Sequence, residues 1–274
     1  MKPRFGLALG GGGARGFAHI AYIQALEEMG IRPCILSGTS MGAIVAAFYA
    51  SGYSGKNMET LAHGFGFRQL QKFLDFSLFT GSALLKGEGV EEFLRKNLKV
   101  RRFEDLEIPL KIVATDFWNR TEVIFDSGDL VQAIRASISI PGLFEPVVYR
   151  KKVLIDGGAS NPVPYDIIRS HCDFLIAIDV TGTRKPESKK KKPTMLESIL
   201  ATFEIMQASI IQNKMRLIQP DLYCEPPLIN VGILEFHKLE EILDSAKMAL
   251  PHFKKALAIR LQRKKNFLFF NKNQ

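Results

Sequence analysis

Short apolar runs alternate with amphipathic stretches along this chain, and the alternation predicts strands exchanging with helices. "RFGLALG" reads as a buried first strand, and Ala14–Met29 as a helix that closes at Gly30. "PCILSG" predicts a second strand, followed by a helix over Ala43–Ser51 that closes at Gly52. Val90–Leu98 has helical spacing, "PLKIVATDF" and "TEVIFDSG" read as strands, and Leu130–Ser137 reads as the helix after them. "KKVLIDGG", "DFLIAIDV" and "PDLYCEP" predict the remaining strands. Thr194 and Glu197 have the T-x-x-E spacing of a capping box. The helix they open has apolar positions at Leu196, Ile199, Leu200, Phe203, Met206, Ile210 and Ile211, which predicts a core-facing stripe; a substrate-facing lid is the competing reading. Phe253–Lys265 predicts a basic amphipathic helix, and the aromatic, glycine-punctuated stretch 64–87 resists assignment. Strands exchanging with helices imply a largely parallel sheet covered on both faces.

Two glycine-rich turns interrupt this pattern. Residues 10–16 read "GGGGARG" directly after the first strand. Gly11, Gly13 and Gly16 fit the dinucleotide fingerprint G-x-G-x-x-G, but that fingerprint needs an acid at the end of the second strand to hold a ribose. The second strand runs "CILSGTSMG" and has none; nor does a Lys-Ser or Lys-Thr pair follow Gly16, as a phosphate-cradling loop requires. What the second strand does have is Gly38-Thr39-Ser40-Met41-Gly42, a G-x-S-x-G between an apolar strand and a helix of small residues. On such a turn the glycines remove side chains that would collide, and the serine hydroxyl is pushed outward at a helix N-terminus. Adjacent parallel strands bring their C-terminal ends together, so the Gly10–Gly13 loop is expected beside Ser40. Its N–H groups are then aimed at the oxyanion of an acyl intermediate.

The general base is harder to find. None of the five histidines, His19, His63, His171, His237 and His252, follows a strand in a way that would present it to a serine, and His19 reads as a packing residue inside the first helix. An aspartate with a raised pKa is the other option. Asp116, Asp156 and Asp179 each end an apolar strand, and periodicity does not choose among them. Asp156 leads because two glycines follow it, which would let the serine turn approach closely.

Together, "GGGGARG", "GTSMG" and "IDGG", in that order, resemble the signatures of the patatin-like phospholipase family, especially its short bacterial members. "GFAHI", "IPLKIVATD" and "AIRASISIPGLFEPV" are similar to family stretches between them, so that the resemblance runs from Phe5 to about Ala249. It implies a three-layer α/β/α sandwich with a mainly parallel central sheet, and a serine acyl-ester hydrolase acting on phospholipids or lysophospholipids. The family's Ser–Asp dyad would make Ser40 the nucleophile and Asp156 the base. Gly11, Gly12 and Gly13 would build the oxyanion hole, with Arg15 at the loop's basic position and Gly38 and Gly42 framing the elbow. His19 matches a family position that is not catalytic. No cofactor or metal is implied. A catalytically weak lipid-binding or regulatory protein of the same fold, an acyltransferase and a general carboxylesterase are the alternatives.

Charge adds a partner. The net charge of +9 is uneven: "RKPESKKKK" at 184–192 and the stretch from Lys254 to the end exceed it between them, so the rest is slightly acidic. A patatin-like catalytic domain over 5–249, with a flexible basic loop at about 184–193, is therefore expected to precede a basic tail over 250–274. Its cations and the apolar Phe267–Phe270 suit reversible binding to an anionic membrane. No nucleic-acid recognition module is visible. Lys2 and Arg4 before a short apolar patch read as the approach to a strand rather than a signal peptide. Three widely spaced cysteines, Cys34, Cys172 and Cys224, read as reduced packing residues, consistent with a cytoplasmic location and peripheral membrane contact.

Overall fold

The first strand, β1 (Phe5–Leu9), is buried on both faces and alternates between two cores: Leu7 and Leu9 enter one, Ala8 the other. The computed structural model describes residues 3–64, 86–185 and 192–272. The unassigned stretch 64–87 and the basic loop at 184–193 therefore lie largely outside the described residues. After a 3-10 turn at Gly13–Phe17 the chain forms α1 (Ala18–Glu28), β2 (Ile35–Thr39) and α2 (Met41–Ala50). Next come α3 (Gly55–Gly64), α4 (Glu88–Asn97), β3 (Leu110–Asp116), β4 (Thr121–Phe125), α5 (Leu130–Ser137), β5 (Val147–Tyr149) and β6 (Lys152–Asp156). The described chain ends with β7 (Phe174–Ile178), α6 (Met195–Leu217), β8 (Leu222–Cys224) and α7 (Leu239–Lys272).

The sheet is mixed. Its parallel part has the order β8-β7-β1-β2-β3, and β4 and β6 join β3 antiparallel, with β5 beyond β6. Helices α1, α2, α5 and α7 supply most of the helical core on one face, with α3 and α4. The other face is covered by Val163–Cys172 and α6, through Tyr165, Ile168 and Ile211. Three layers result, as the alternation of strands and helices implied. Among the described residues no helix is long and apolar enough to cross a membrane.

The capping box at α6 is formed in both directions, with Glu197 N donating to Thr194 Oγ1 at 3.2 Å and Thr194 N to Glu197 Oε2 at 2.7 Å. The stripe expected behind it is only partly core-facing. Leu200 and Ile211 are buried, whereas Ile199 and Met206 are 40% and 54% exposed. The buried side of α6 follows Leu200, Gln207 and Ile211, so a polar residue occupies the middle of the contact. Helix α7 is the larger revision, because it starts at Leu239 and runs through Pro251, across the tail boundary expected at residue 250. Phe253 and Leu257 are buried in the main core, and the Phe253 ring meets Tyr22 edge-on at 5.0 Å. The first turns beyond 250 thus belong to the domain; the side chains of Phe267–Phe270 lie outside the described residues.

Gly42 fixes how close α2 comes to β1. A Cβ there would lie 2.2 Å from the Leu9 carbonyl oxygen and 2.6 Å from that of Gly10. Gly42→Ala therefore forces α2 off the strand end and is expected to cost about 3 kcal/mol, measurable by urea denaturation; a loss below about 1 kcal/mol would show that the contact yields.

Candidate active site

Ser40 is the N-cap of α2 and has φ 53° and ψ −123°, a region that side chains rarely adopt. Its N–H donates to Ser137 Oγ at 2.8 Å, and that hydroxyl donates to the Val113 carbonyl at 2.6 Å. Ser137, at the end of α5, thus holds the strained turn against β3. Its role was not readable from the sequence, where it is one of several small polar residues in "RASIS".

Asp156 reaches Ser40 through the register of β3. Gly38 and Thr39 pair with Ile112 and Val113, which pair with β4 on their other edge. Ala114 also pairs with β4 and, on the edge shared with β2, with Asp156. Strands β2 and β6 therefore run toward each other along one edge of β3, and they stop at Ser40 and Asp156. The Asp156 carboxyl is buried; Oδ1 accepts the Gly158 N–H at 2.7 Å, and Oδ2 has no hydrogen bond of normal length and direction. Burial pushes its pKa up to about 7, opposed by the Ser40 hydroxyl and then by the Gly158 N–H. Asp116 and Asp179 are spent differently. Asp116 accepts from the N–H groups of Trp118 and Asn119 and from the Asn119 side chain, and Asp179 accepts from the Thr181 N–H and the Tyr223 hydroxyl.

The glycines after Asp156 admit several close neighbours, Thr39 of the serine turn among them, whose Cγ2 would lie 3.2 Å from a Cβ on Gly157. A Cβ on Gly157 would lie 2.2 Å from the Val113 carbonyl oxygen, and one on Gly158 would lie 2.0 Å from Gln207 Nε2 of α6. Behind them, Asn161 ties Glu122, Asp166 and Lys214 together, and Thr39 Oγ1 donates to the Asn161 carbonyl at 2.7 Å.

The Gly10–Gly13 loop divides its donors. Gly10 N–H goes to the Ile178 carbonyl and Gly11 N–H to the Pro162 carbonyl, both at 2.9 Å. Gly11 therefore lies against Ser40, with its Cβ position 3.2 Å from Ser40 Cβ, but its N–H is committed. The N–H groups of Gly12 and Gly13, and that of Met41 at the start of α2, have no acceptor among the described residues. Gly13 has φ 57°, which turns the loop here. Arg15 is 2% exposed and points into a network of its own, with Nη2 2.8 Å from Glu204 and Nε 3.2 Å from the Gly12 carbonyl. Its guanidinium supports the loop from behind. His19 Nε2 donates to the Gly10 carbonyl at 2.8 Å; burial drives its pKa down to about 4 and keeps the ring neutral.

Comparison with known proteins gives the family. The family model "Patatin-like phospholipase" matches residues 7–168. The chain belongs to the patatin-like phospholipase family. It is 35% identical over 219 residues to an uncharacterized NTE family protein of Mycobacterium tuberculosis, covering 76% of this chain and 59% of that one. It is also 29% identical over 262 residues to the lysophospholipase NTE1 of Kluyveromyces lactis, covering 86% of this chain but 18% of the relative. VipD from Legionella pneumophila has a similar fold, with a TM-score of 0.54 at 12% identity over 93% of this chain and 67% of that one. The chain thus spans between about a fifth and three fifths of the curated relatives named here.

In this patatin-like chain Ser40 lies on the wall of an apolar cavity of about 150 Å³. Phe48 of α2, Leu61 of α3, Phe93 of α4, Ile138 and Phe144 after α5, and Phe236 supply much of the lining. The folded chain holds an extra proton on Asp156 between the ordinary carboxylate range near pH 4 and about pH 7, so this group's contribution to stability is lost as pH rises through that window. Asp156→Asn is accordingly expected to be more stable than the parent at pH 8 by on the order of 4 kcal/mol, with the gap narrowed to less than half of that at pH 5. His19 titrates alike in both proteins and drops out of the difference. Urea denaturation at the two pH values decides it, and a gap independent of pH would contradict the buried acid.

Proposed function

We propose that this chain hydrolyses fatty-acyl esters of phospholipids or lysophospholipids through a Ser40–Asp156 dyad and an acyl-serine intermediate. The observation that carries the reading is one convergence: a strained serine and a buried carboxyl of raised pKa meet end to end beside an apolar cavity. The family match and the lysophospholipase relative support lipid as the substrate class.

The geometry supports the following course. Ionised Asp156 takes the proton from Ser40 Oγ as Oγ bonds to the ester carbonyl carbon. Negative charge builds on the carbonyl oxygen, facing the uncommitted N–H groups of Gly12, Gly13 and Met41 at the positive end of α2. The C–O bond breaks, and the alcohol or lysolipid leaves with the proton that Asp156 held. A water then gives a proton to Asp156 and adds to the acyl-serine, releasing the fatty acid and restoring Ser40. The cavity holds the acyl chain, and its lining supplies affinity without direction.

Asp156 accepts a proton only when ionised, so kcat/KM is expected to rise tenfold per pH unit on the acid side and to level off above about pH 7. Intact-mass analysis after fluorophosphonate treatment should show one adduct, absent from Ser40→Ala and slowed in Asp156→Asn. An unlabelled parent protein, with vesicles present, would overturn the reading.

For monomeric esters, each added methylene that enters the cavity should raise kcat/KM by about threefold to fourfold until the cavity is filled. Steady-state rates over a chain-length series measure this directly, and a flat series would remove the cavity from the acyl site.

A further inference from the structure

Among the described residues five non-glycines have positive φ, and three of them are cations on two neighbouring turns: Arg120 at 56°, Arg150 at 45° and Lys151 at 67°. Arg150 and Lys151 form the two-residue loop of the β5–β6 hairpin, closed by the Tyr149–Lys152 pair. With both central residues at positive φ this is a type I′ turn, for which Asn-Gly is the ordinary solution. Two long cationic side chains here cost stability and place positive charge at the tip.

The other turn, Phe117–Arg120 between β3 and β4, lies alongside. Phe117 N–H donates to the Val153 carbonyl at 2.8 Å, and Lys152 Nζ lies 3.5 Å from Asp116. Here Trp118, the one tryptophan of the chain, is 73% exposed, and its ring meets Phe117 edge-on at 4.9 Å. Val148, next to the hairpin tip, is 71% exposed. Exposed aromatic and aliphatic side chains thus lie beside Arg120, Arg150 and Lys151, while Lys152 pairs with the buried Asp116.

We propose that these two turns form the surface by which the protein lies on an anionic lipid bilayer, an inference that rests on the lipid-hydrolase reading of the site. Amphipathic rings flanked by cations match the headgroup region of such a bilayer, where each Lys or Arg adds about fivefold in affinity. The patch is connected to the site through the chain itself. The segment enters the hairpin from Phe144, which lines the cavity, and leaves it through β6 into Asp156, about 14 Å from Lys152 along an extended strand. In the tail, by contrast, three of the described cations are engaged with the body: Lys254 pairs with Glu28, Lys264 with Asp221, and Arg260 with the Asp221 carbonyl.

The test is intrinsic fluorescence of Trp118 titrated with vesicles of phosphatidylglycerol and phosphatidylcholine, and with phosphatidylcholine alone. The double variant Arg150→Asn/Lys151→Gly replaces the strained cations with residues that suit the turn. It is expected to melt about 2–4 °C higher than the parent and to bind the anionic vesicles about thirtyfold more weakly. Its kcat/KM on a monomeric ester should stay unchanged. A blue shift of Trp118 on anionic vesicles alone, weakened in the variant, supports the surface. An equal shift on phosphatidylcholine, unchanged affinity in the variant, or binding to heparin without binding to vesicles overturns it. A Trp118 shift without any ester hydrolysis would leave the surface standing and sink the hydrolase reading.

Discussion

One edge of β3 is shared by two strands that run at each other, and the geometry around Ser40 follows from that. Strand β2 occupies the edge as far as Val113, and β6 occupies it from Asp116 back to Ala114. The next pairing position for β2 is taken, so the chain must leave the sheet at Ser40. The close contact between Gly157 and the Val113 carbonyl shows how little room remains. The positive φ of Ser40 is the form that this exit takes, at a cost of roughly 1–3 kcal/mol. Two features offset it: the Ser137 hydroxyl that accepts the Ser40 N–H, and the packing of α2, which Gly42 allows to come down onto Leu9 and Gly10. The proposed nucleophile and base face each other because two strands compete for one edge.

The same blocked edge shapes the electrostatics. Three aspartates end strands at this rim, and their surroundings differ more than their positions do. Asp116 gains donors from its own turn and from Lys152, which hold its carboxyl below the usual range, with the Asn119 side chain contributing most. Asp156, where the two strand ends meet, has one firm donor and no water-facing side, so burial dominates and the proton is held up to about pH 7. Environment rather than residue type separates the proposed base from its two look-alikes.

That separation was partly legible in the sequence. A G-x-S-x-G between an apolar run and a helix of small residues locates Ser40 because the local chain dictates the turn. Leu130–Ser137 and the capping box at Thr194 were readable for the same reason. Asp156 could be preferred on its two glycines, which make room mainly for the Val113 carbonyl and Gln207, with Thr39 of the serine turn a looser neighbour of Gly157. What escaped was what depends on contacts distant in sequence. Ser137 matters only through its place over β3, and Arg15 turns to Glu204, a partner 189 residues away. The three-residue strand β5 is too short to show a period. Helix α7 starts at Leu239, before the basic stretch read from Phe253, and runs through Pro251, with Phe253 and Leu257 anchoring it in the core.

Backbone strain in this protein is concentrated rather than spread. Ser40 is set by the blocked edge, whereas Arg120, Arg150 and Lys151 face no such obstruction, because they sit on exposed turns where a glycine or asparagine would relieve them. A strained residue that topology compels says little about selection. One that a single substitution would relax implies that the side chain itself is wanted. On that distinction the cations of the two turns stand apart from those of α7, several of which are neutralised against Glu28 and Asp221. The net positive charge of the chain is therefore a poor guide to where it meets an anionic surface. Cations held at a backbone cost beside exposed rings are a better one, and two of them, Arg150 and Lys151, lie on the segment that leads from the cavity wall to Asp156.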